Sequence, residues 1–293
     1  MKIFRSEKAR SRILSTYDQL IQRWGVDCIE QDVETRYGTT HLVTCGEPKA
    51  PPLILFHGVG DDSALMWIFN AAALAESFHV YAVDTMGGPG KSCPGPGYGK
   101  SFEQAVWIDE VFDGLGLGKV FLAGVSNGGY MVQRYTAERP ERVLRCVVMS
   151  SGIFDQAGGS PLIIMLKVFL PEALFPTQKN IVRLLRKMSG ANAAVFTEDE
   201  LLMTHYRWLL MGFNTMAMGF HRIVPFSPEQ VRTITDRTLF ICGGRDPLGD
   251  RDMAVATFMK HGARYEIIED AGHGINHEHA LDVNRMMLEY FLS

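Results

Sequence analysis

A serine set between glycines is the residue of this chain whose surroundings point most directly to chemistry. Residues 120–129 read VFLAGVSNGG, so Ser126 follows an apolar strand pattern and precedes a helical one. On such a strand-to-helix turn the serine hydroxyl projects beyond the end of the sheet, where a base can reach it. The turn strains the serine backbone, and Gly124 and Gly128 keep side chains away from it. We predict that Ser126 is a nucleophile; the alternative is a glycine-rich loop with an unreactive serine.

Two later segments supply the partners that such a serine needs. A histidine must accept its proton, and a carboxylate must orient that histidine. Asp246 follows the apolar run 239–242 and a glycine pair, and His273 lies between glycines after the last strand pattern. Asp250 and Asp252 are alternative acids, but they fall in the first turn of the next predicted helix, where aspartate commonly caps the helix. We therefore predict His273 as the base and Asp246 as its acid.

Other histidines near the end of the chain compete for the role of base. His277 and His279 both lie within the predicted last helix, whereas the glycine-flanked loop lets His273 reach across to the serine. His273, His277 and Glu278 together also suggest a metal site. They lack the His-Glu-x-x-His spacing and only one carboxylate is nearby, so we predict no metal ion here.

Two backbone amides must face the oxygen on which negative charge develops. One should come from Asn127, directly after the serine and at the start of its helix. The other should come from the loop after the first central strand, where Gly58 permits a tight path and Val59 is the candidate donor. His57 then orients this loop and does not act as a base.

The segment 87–92, GGPGKS, is similar to a phosphate-binding loop. Such a loop needs a glycine five residues before its final Gly-Lys pair, and Thr85 occupies that position. The proline-rich residues that follow cannot form the helix whose N-terminus would hold phosphate. We therefore predict no nucleotide site. A second Gly-Lys-Ser, 99–101, predicts a helix start in which Ser101 is the N-cap and Gln104 completes a capping box.

The candidate catalytic residues lie at the ends of elements in a regular alternation of strand and helix patterns. Apolar runs typical of buried strands occur at 52–56, 80–83, 120–123, 146–149, 239–242 and, with more polar residues, 265–268. Helical patterns occur at 63–75, 101–115, 127–138, 252–261 and 275–291. A hairpin over 35–45 suits a sheet edge. The alternation predicts a mainly parallel sheet with helices on both faces.

The alternation lapses between residues 153 and 232, where several helical patterns follow one another without a strand. We predict a core formed by 1–152 and 233–293 with a helical cap inserted at 153–232. Such a cap would lie over the carboxyl ends of the strands, where α/β sheets bind ligands. Its many methionines serve either as adaptable packing or as the lining of an apolar substrate pocket.

Composition narrows the choice of partners and compartment. The 293 residues are 46% apolar, enough for one large domain, and a net charge of −4 without a long basic run argues against nucleic acid. Five scattered cysteines point to a reducing, cytoplasmic location. The amphipathic opening, 1–24, contains acidic residues and predicts a helix packed on the domain rather than a targeting signal. The longest dense apolar run, 162–170, is too short to span a membrane.

With these motifs placed, the chain resembles the α/β-hydrolase superfamily over nearly its whole length. Serine, aspartate and histidine follow one another in the chain order of that fold. The motifs that carry the resemblance are 57–58, 84–92, 124–129, 139–143, 243–246 and 271–273. The helix predicted within 1–24, called the entry helix below, and the segments 37–41 and 81–84 resemble the corresponding segments of bacterial carboxylesterases related to the Bacillus naproxen esterase.

This resemblance implies an eight-stranded sheet, a helical cap and ester hydrolysis without a cofactor. We expect a serine carboxylesterase that acts on small to medium acyl esters through an acyl-enzyme, with a small-molecule ester as its substrate partner. Hydrolases that cleave carbon–carbon bonds in dienoic ring-fission products keep the same three residues and are the main alternative. A non-catalytic binding protein of the same fold is a further one. Asn127 replaces the bulkier apolar residue of many relatives, which bears on substrate preference.

Overall fold

The computed structural model describes residues 2–155, 168–170, 172 and 174–293. Within these residues one mixed sheet contains nine strands, in the order β1-β2-β4-β3-β6-β7-β8-β9, with β5 paired to β2 beside this path. The strands are β1 (Cys28–Thr35), β2 (Gly38–Cys45), β3 (Pro52–Phe56), β4 (His79–Val83), β5 (Cys93–Pro94), β6 (Val120–Val125), β7 (Val143–Met149), β8 (Thr238–Gly243) and β9 (Arg264–Ile268). The eight strands on the main path match the expected number, and the two-residue β5 is an addition.

The direction of the strands defines where a ligand can bind. The hairpin β1–β2 and the pair β2–β4 are antiparallel, and every pairing from β4 through β3 to β9 is parallel. The chain places β4 on one side of β3 and then β6 on the other, so the direction of winding reverses at β3. Ligands of open α/β sheets bind outside the carboxyl ends of the strands at such a reversal. The loops after β3 and β6 therefore border the expected site.

The described helices are α1 (Glu7–Ile21), α2 (Ser63–Met66), α3 (Ala71–Ala75), α4 (Gln104–Gly114), α5 (Asn127–Glu138), α6 (Gln178–Met188), α7 (Ala194–Thr197), α8 (Glu200–Gly212), α9 (Pro228–Thr235), α10 (Arg251–His261), α11 (Ile275–Glu278) and α12 (Ala280–Leu292). None of the helices in the described ranges is long and apolar enough to cross a bilayer. Most of the apolar run 162–170 lies outside the described residues.

Helices cover both faces of the sheet, as the continuous apolar strands predict. Along β3, Leu53 and Leu55 pack in the cluster that contains α1, α3 and α12. The intervening Ile54 and Phe56 pack in the cluster that contains α4, α5 and α9. All four side chains are essentially inaccessible to solvent. Side chains of successive strand residues point to opposite faces, so a strand covered on both sides must be apolar at every position.

The described part of the segment between β7 and β8 contains helices joined by loops and none of the nine strands. Helix α8 packs on the entry helix α1, and Phe4 and Phe213 form a bridge between the two regions. Helix α9 packs against α5 and β8, so it extends the helical layer of the core. The predicted cap boundary at residue 232 falls inside α9. The extent of the cap, which includes residues outside the described ranges, stays a prediction.

Three local predictions differ from the structure. The expected helix 63–75 is two short helices separated by a turn, and the expected helix 275–291 breaks at His279, whose φ is −127°. The capping box is wrong: α4 begins at Gln104, its N-cap is Glu103, and no side chain caps it. The Gln104 amide instead donates to Nδ1 of His221 at 3.0 Å. A tertiary partner has replaced the local one.

Candidate active site

Ser126 occupies a strained turn between β6 and α5. Its φ of 55° and ψ of −117° lie in a region that side-chain-bearing residues rarely adopt, and its N–H donates to Met149 O at 2.8 Å. A Cβ on Gly124 would lie 2.3 Å from the carbonyl oxygen of Gly128. A Cβ on Gly128 would lie 2.2 Å from Phe56 O. Both glycines are therefore required sterically, since the turn brings backbone into direct contact with backbone.

Asp246 and His273 meet after the two last strands. Asp246 Oδ2 lies 2.8 Å from His273 Nδ1, and the two side chains are only 12% and 16% exposed. The other carboxylate oxygen accepts the N–H of Leu248 at 2.8 Å. Because a carboxylate only accepts, the Nδ1 of His273 must carry the proton in this bond. That tautomer leaves Nε2 free to accept a proton.

The end of β7 holds both the serine turn and the histidine loop. Met149 accepts the N–H of Ser126, and the hydroxyl of the next residue, Ser150, donates to His273 O at 2.8 Å. Ser150 has a positive φ of 48°. Two consecutive residues therefore link the turn after β6 to the loop after β9. Ser150 could not be predicted from the sequence, because a serine after an apolar strand has no distinctive spacing.

Glu278 anchors the histidine loop from below. Its two carboxylate oxygens accept the N–H of Gly272 at 3.1 Å and that of Gly190 at 2.6 Å. Burial raises the pKa of this carboxyl above its usual value, and the two amides offset only part of that rise. His273 itself donates its N–H to Met188 O at 2.7 Å. Glu278 thus holds backbone in place, and within the described residues no group of three or more potential ligands could bind a metal ion.

The alternative acids have other partners. Asp250 is the N-cap of α10 and accepts the N–H of Met253 at 3.0 Å. Asp252 lies in the first turn of the same helix and pairs with Arg251 at 3.0 Å. Capping is the role that aspartate commonly takes at a helix start. Neither carboxylate is bonded to a histidine.

The alternative bases are also occupied elsewhere. His277 is buried, its Nε2 donates to Leu65 O at 2.9 Å, and burial lowers its pKa to about 4. A group with so low a pKa and no exposed nitrogen is a poor proton acceptor for a substrate. His279 Nε2 lies 3.4 Å from Asp270 Oδ1. Only His273 of these three bonds to Asp246.

The loop after β3 packs directly against the serine. A Cβ on Gly58 would lie 3.4 Å from Ser126 Cβ, which is ordinary van der Waals contact. Val59, the next residue, is 49% exposed. Asn127 is the first residue of α5, and the first amides of a helix have no acceptor within it. Asn127 follows Ser126 directly and Val59 follows the glycine beside Ser126, so both predicted donors belong to segments that adjoin the serine turn.

His57 ties the start of this loop to the end of β4. Its Nδ1–H donates to Gly58 O at 2.8 Å, and its Nε2 accepts the N–H of Thr85 at 2.9 Å. The side chain is fully buried. With both ring nitrogens bonded to backbone, His57 orients the loop, as we predicted from its position.

The segment 87–92, which is similar to a phosphate-binding loop, has a structural role. Asp84 Oδ2 accepts the N–H of Lys91 at 2.7 Å, and Oδ1 accepts the N–H of Ser63 at 3.1 Å. A Cβ on Gly90 would lie 2.2 Å from the Asp84 carboxylate. The glycine and the amide that could cradle a phosphate therefore hold an internal carboxylate instead.

The family model of the alpha/beta hydrolase fold matches residues 51–182. With its open, mostly parallel sheet and its serine turn after β6, the chain has the alpha/beta hydrolase fold, as the motifs indicated.

The chain is similar over nearly its whole length to two Bacillus subtilis esterases. Carboxylesterase YbfK is 28% identical over 98% of this chain and 96% of its own length. The crystal structure of YbfK matches with a TM-score of 0.80 and 26% identity, covering 97% of this chain and 98% of YbfK. The crystal structure of naproxen esterase matches with a TM-score of 0.85 and 25% identity, covering 98% of this chain and 99% of that one.

A hydrolase named for a dienoic dicarboxylate is also among the relatives. The 2-hydroxy-6-oxononadienedioate/2-hydroxy-6-oxononatrienedioate hydrolase of Burkholderia vietnamiensis is 28% identical over 90% of this chain and 94% of its own length. This percentage identity equals that of carboxylesterase YbfK, so identity alone does not separate the two relatives.

Proposed function

We propose that this chain is a serine carboxylesterase that hydrolyses small to medium acyl esters. The observation that carries the proposal is the bond between Asp246 and His273, which leaves His273 Nε2 available as a base. Ser126 on its strained turn is the nucleophile that this base would serve. Two Bacillus subtilis relatives that cover almost the whole chain bear the name carboxylesterase.

In the proposed reaction His273 Nε2 accepts the hydroxyl proton of Ser126 while the serine oxygen attacks the ester carbonyl. The imidazolium then donates that proton to the departing alcohol, which leaves an acyl-enzyme. Water, deprotonated by the same nitrogen, releases the acid and restores the serine. Asp246 holds the ring in the required tautomer and stabilises its positive charge.

The amides of Val59 and Asn127 are the proposed donors to the tetrahedral oxyanion. The Asn127 amide opens a helix of twelve residues, and the dipole of that helix adds positive potential at its N-terminus. Each such donor contributes about 10²–10³-fold to the rate. The donors are backbone groups, so their positions depend on the loop that carries them.

Ser126→Ala is the direct test. We expect it to lower turnover of p-nitrophenyl esters by at least about 10⁴-fold, because the covalent route is lost. Ser15→Ala, at an exposed position on α1, is the matched control and should keep wild-type rates. Undiminished hydrolysis by Ser126→Ala would refute the proposal. A series of acyl chain lengths on the wild type measures the size of the acyl pocket.

Carbon–carbon hydrolysis is the second candidate, and the Burkholderia relative is the observation that favours it. The test is a direct comparison of kcat/KM for a dienoic ring-fission diketone and for p-nitrophenyl butyrate. A higher value for the diketone would replace the esterase proposal. Binding of esters without any turnover would instead support a non-catalytic binding protein.

We also propose a cytoplasmic location and a small-molecule ester as the partner. The location rests on five scattered cysteines, of which Cys146 is buried in β7. Fractionation of cells that express the tagged chain would test it. Recovery in an extracytoplasmic fraction would refute it.

A further inference from the structure

A fully buried carboxylate–imidazole pair lies at the far end of the loop that carries Val59. Asp62 Oδ2 lies 2.9 Å from His205 Nε2, and neither side chain has any exposed surface. The Nδ1 of His205 lies 2.6 Å from the hydroxyl of Thr16. The three residues come from the loop after β3, from α8 and from α1. One buried polar cluster therefore joins three separate parts of the chain.

Asp62 is fixed by both of its oxygens. Its Oδ1 accepts the N–H of Leu65 at 3.0 Å as the N-cap of α2, and its Oδ2 is the atom bonded to His205. Burial on its own raises the pKa of Asp62, but His205 and the Leu65 amide outweigh it and the pKa lies below its usual value. The carboxylate therefore directs one bond to the backbone after the loop and one bond to α8.

A cluster of this kind is a costly way to pack three elements. Burial removes the hydration of a charged pair, a cost that apolar residues of similar volume do not have. The pair is therefore poor evidence that the fold is stabilised at this position. What a carboxylate–imidazole bond adds is direction, since it accepts only a narrow range of distances and angles. The end of the loop is thereby held at a defined position relative to α8.

The other contacts that orient this loop come from the core. His57 bonds to the backbone at the end of β4, and the Ser63 amide bonds to Asp84. Among the described residues of the segment 153–227, His205 is the one side chain that hydrogen-bonds to residues 57–63. The segment between β7 and β8 therefore reaches the Val59 loop through this bond.

We propose that His205 is a positioning residue that fixes the Val59 loop, residues 57–63, through Asp62 and so couples the helical segment between β7 and β8 to catalysis. The inference rests on the proposed esterase function. Val59 lies three residues before Asp62, and a shift of about 1 Å in a positioning group can cost about 10²-fold in rate. Loss of the bond should reduce stabilisation of the transition state more than binding of the substrate, because the amides face a full negative charge only in the transition state.

His205→Leu, which removes the bond but keeps a buried apolar side chain, should lower kcat by about 10- to 100-fold and change KM by less than about twofold. His205→Gln should retain at least about a third of the wild-type kcat, because its side-chain amide can still donate to Asp62. The rate at which a fluorophosphonate labels Ser126 should fall in parallel with kcat, while the final labelled fraction stays complete.

Ile181→Ala is the matched control for lost stability. Ile181 is fully buried beside Met203 of α8, so this variant loosens the same region without touching the Asp62 bond. All rates are measured at least about 15 °C below the melting temperature of each variant. If His205→Leu does not fold, Asp62→Asn takes its place, because it keeps the cap on α2 and weakens the bond to His205.

A selective fall in kcat for His205→Leu, restored by His205→Gln and absent in Ile181→Ala, would support the proposal. Wild-type kcat in His205→Leu or in its substitute Asp62→Asn would overturn it. So would an equal fall of kcat in Ile181→Ala, or no restoration by His205→Gln. A wild-type protein without Ser126-dependent turnover would instead refute the proposed function, so the two failures are distinguishable.

Discussion

Replacing Ser126 by glycine and by alanine separates the strain of its turn from its chemistry. Its φ of 55° and ψ of −117° impose a conformation that costs a residue with a Cβ about 1–3 kcal/mol. Glycine relieves this strain but gains freedom in the unfolded chain, which offsets about 0.4–1 kcal/mol. The glycine variant should therefore be more stable than the alanine variant by about 1 kcal/mol. In a domain of this size that difference is about 2 °C in Tm.

Thermal and urea unfolding of the two inactive variants measure this difference. Ser15 supplies the control, because it lies on an exposed face of α1 with ordinary helical backbone. There the order should reverse, with Ser15→Gly less stable than Ser15→Ala by about 1 kcal/mol. An alanine variant at position 126 that is as stable as the glycine variant would refute the claim that the turn is strained.

Three further predictions concern the acid, the turn glycine and a buried histidine. Asp246→Asn should lower kcat by about 10²–10⁴-fold, whereas Asp250→Asn, which keeps a helix cap, should stay within about twofold in steady-state assays. Gly128→Ala should cost about 3 kcal/mol in urea unfolding, because its Cβ would lie 2.2 Å from a backbone oxygen of β3; Gly99→Ala, with open space, should be neutral. His277 has a pKa of about 4 in the folded protein and about 6.5 in the unfolded chain, so the unfolded chain binds its proton more readily between these values. Its contribution to the free energy of unfolding is therefore fully present above pH 6.5, and about 2 kcal/mol of it is lost by pH 5. His277→Gln should remove that share of the pH dependence of the urea midpoint.

Much of the framework could be predicted from short stretches of sequence. The strands β3 and β6 are apolar at every position because both faces are covered, and that pattern is visible in five or six residues. The two-residue strand β5 was not predictable, because its pairing with β2 depends on where the chain returns. Gln104 shows the same limit at a helix start. Its spacing from Ser101 favours a capping box, but His221, 117 residues away, takes the amide.

The turn at Ser126 was the most predictable feature of the site, and the buried cluster of Asp62, His205 and Thr16 was the least predictable. Ser126 could be recognised because a strained turn needs its glycines, its strand and its helix within about ten consecutive residues. Asp246 and His273 could be ordered along the chain, but their bond of 2.8 Å follows from the alignment of β8 and β9. His205 gave no signal at all, since Asp62 lies 143 residues from it in the chain. Backbone preferences act between near neighbours, whereas the partner of a buried polar group is chosen by whichever distant element packs beside it.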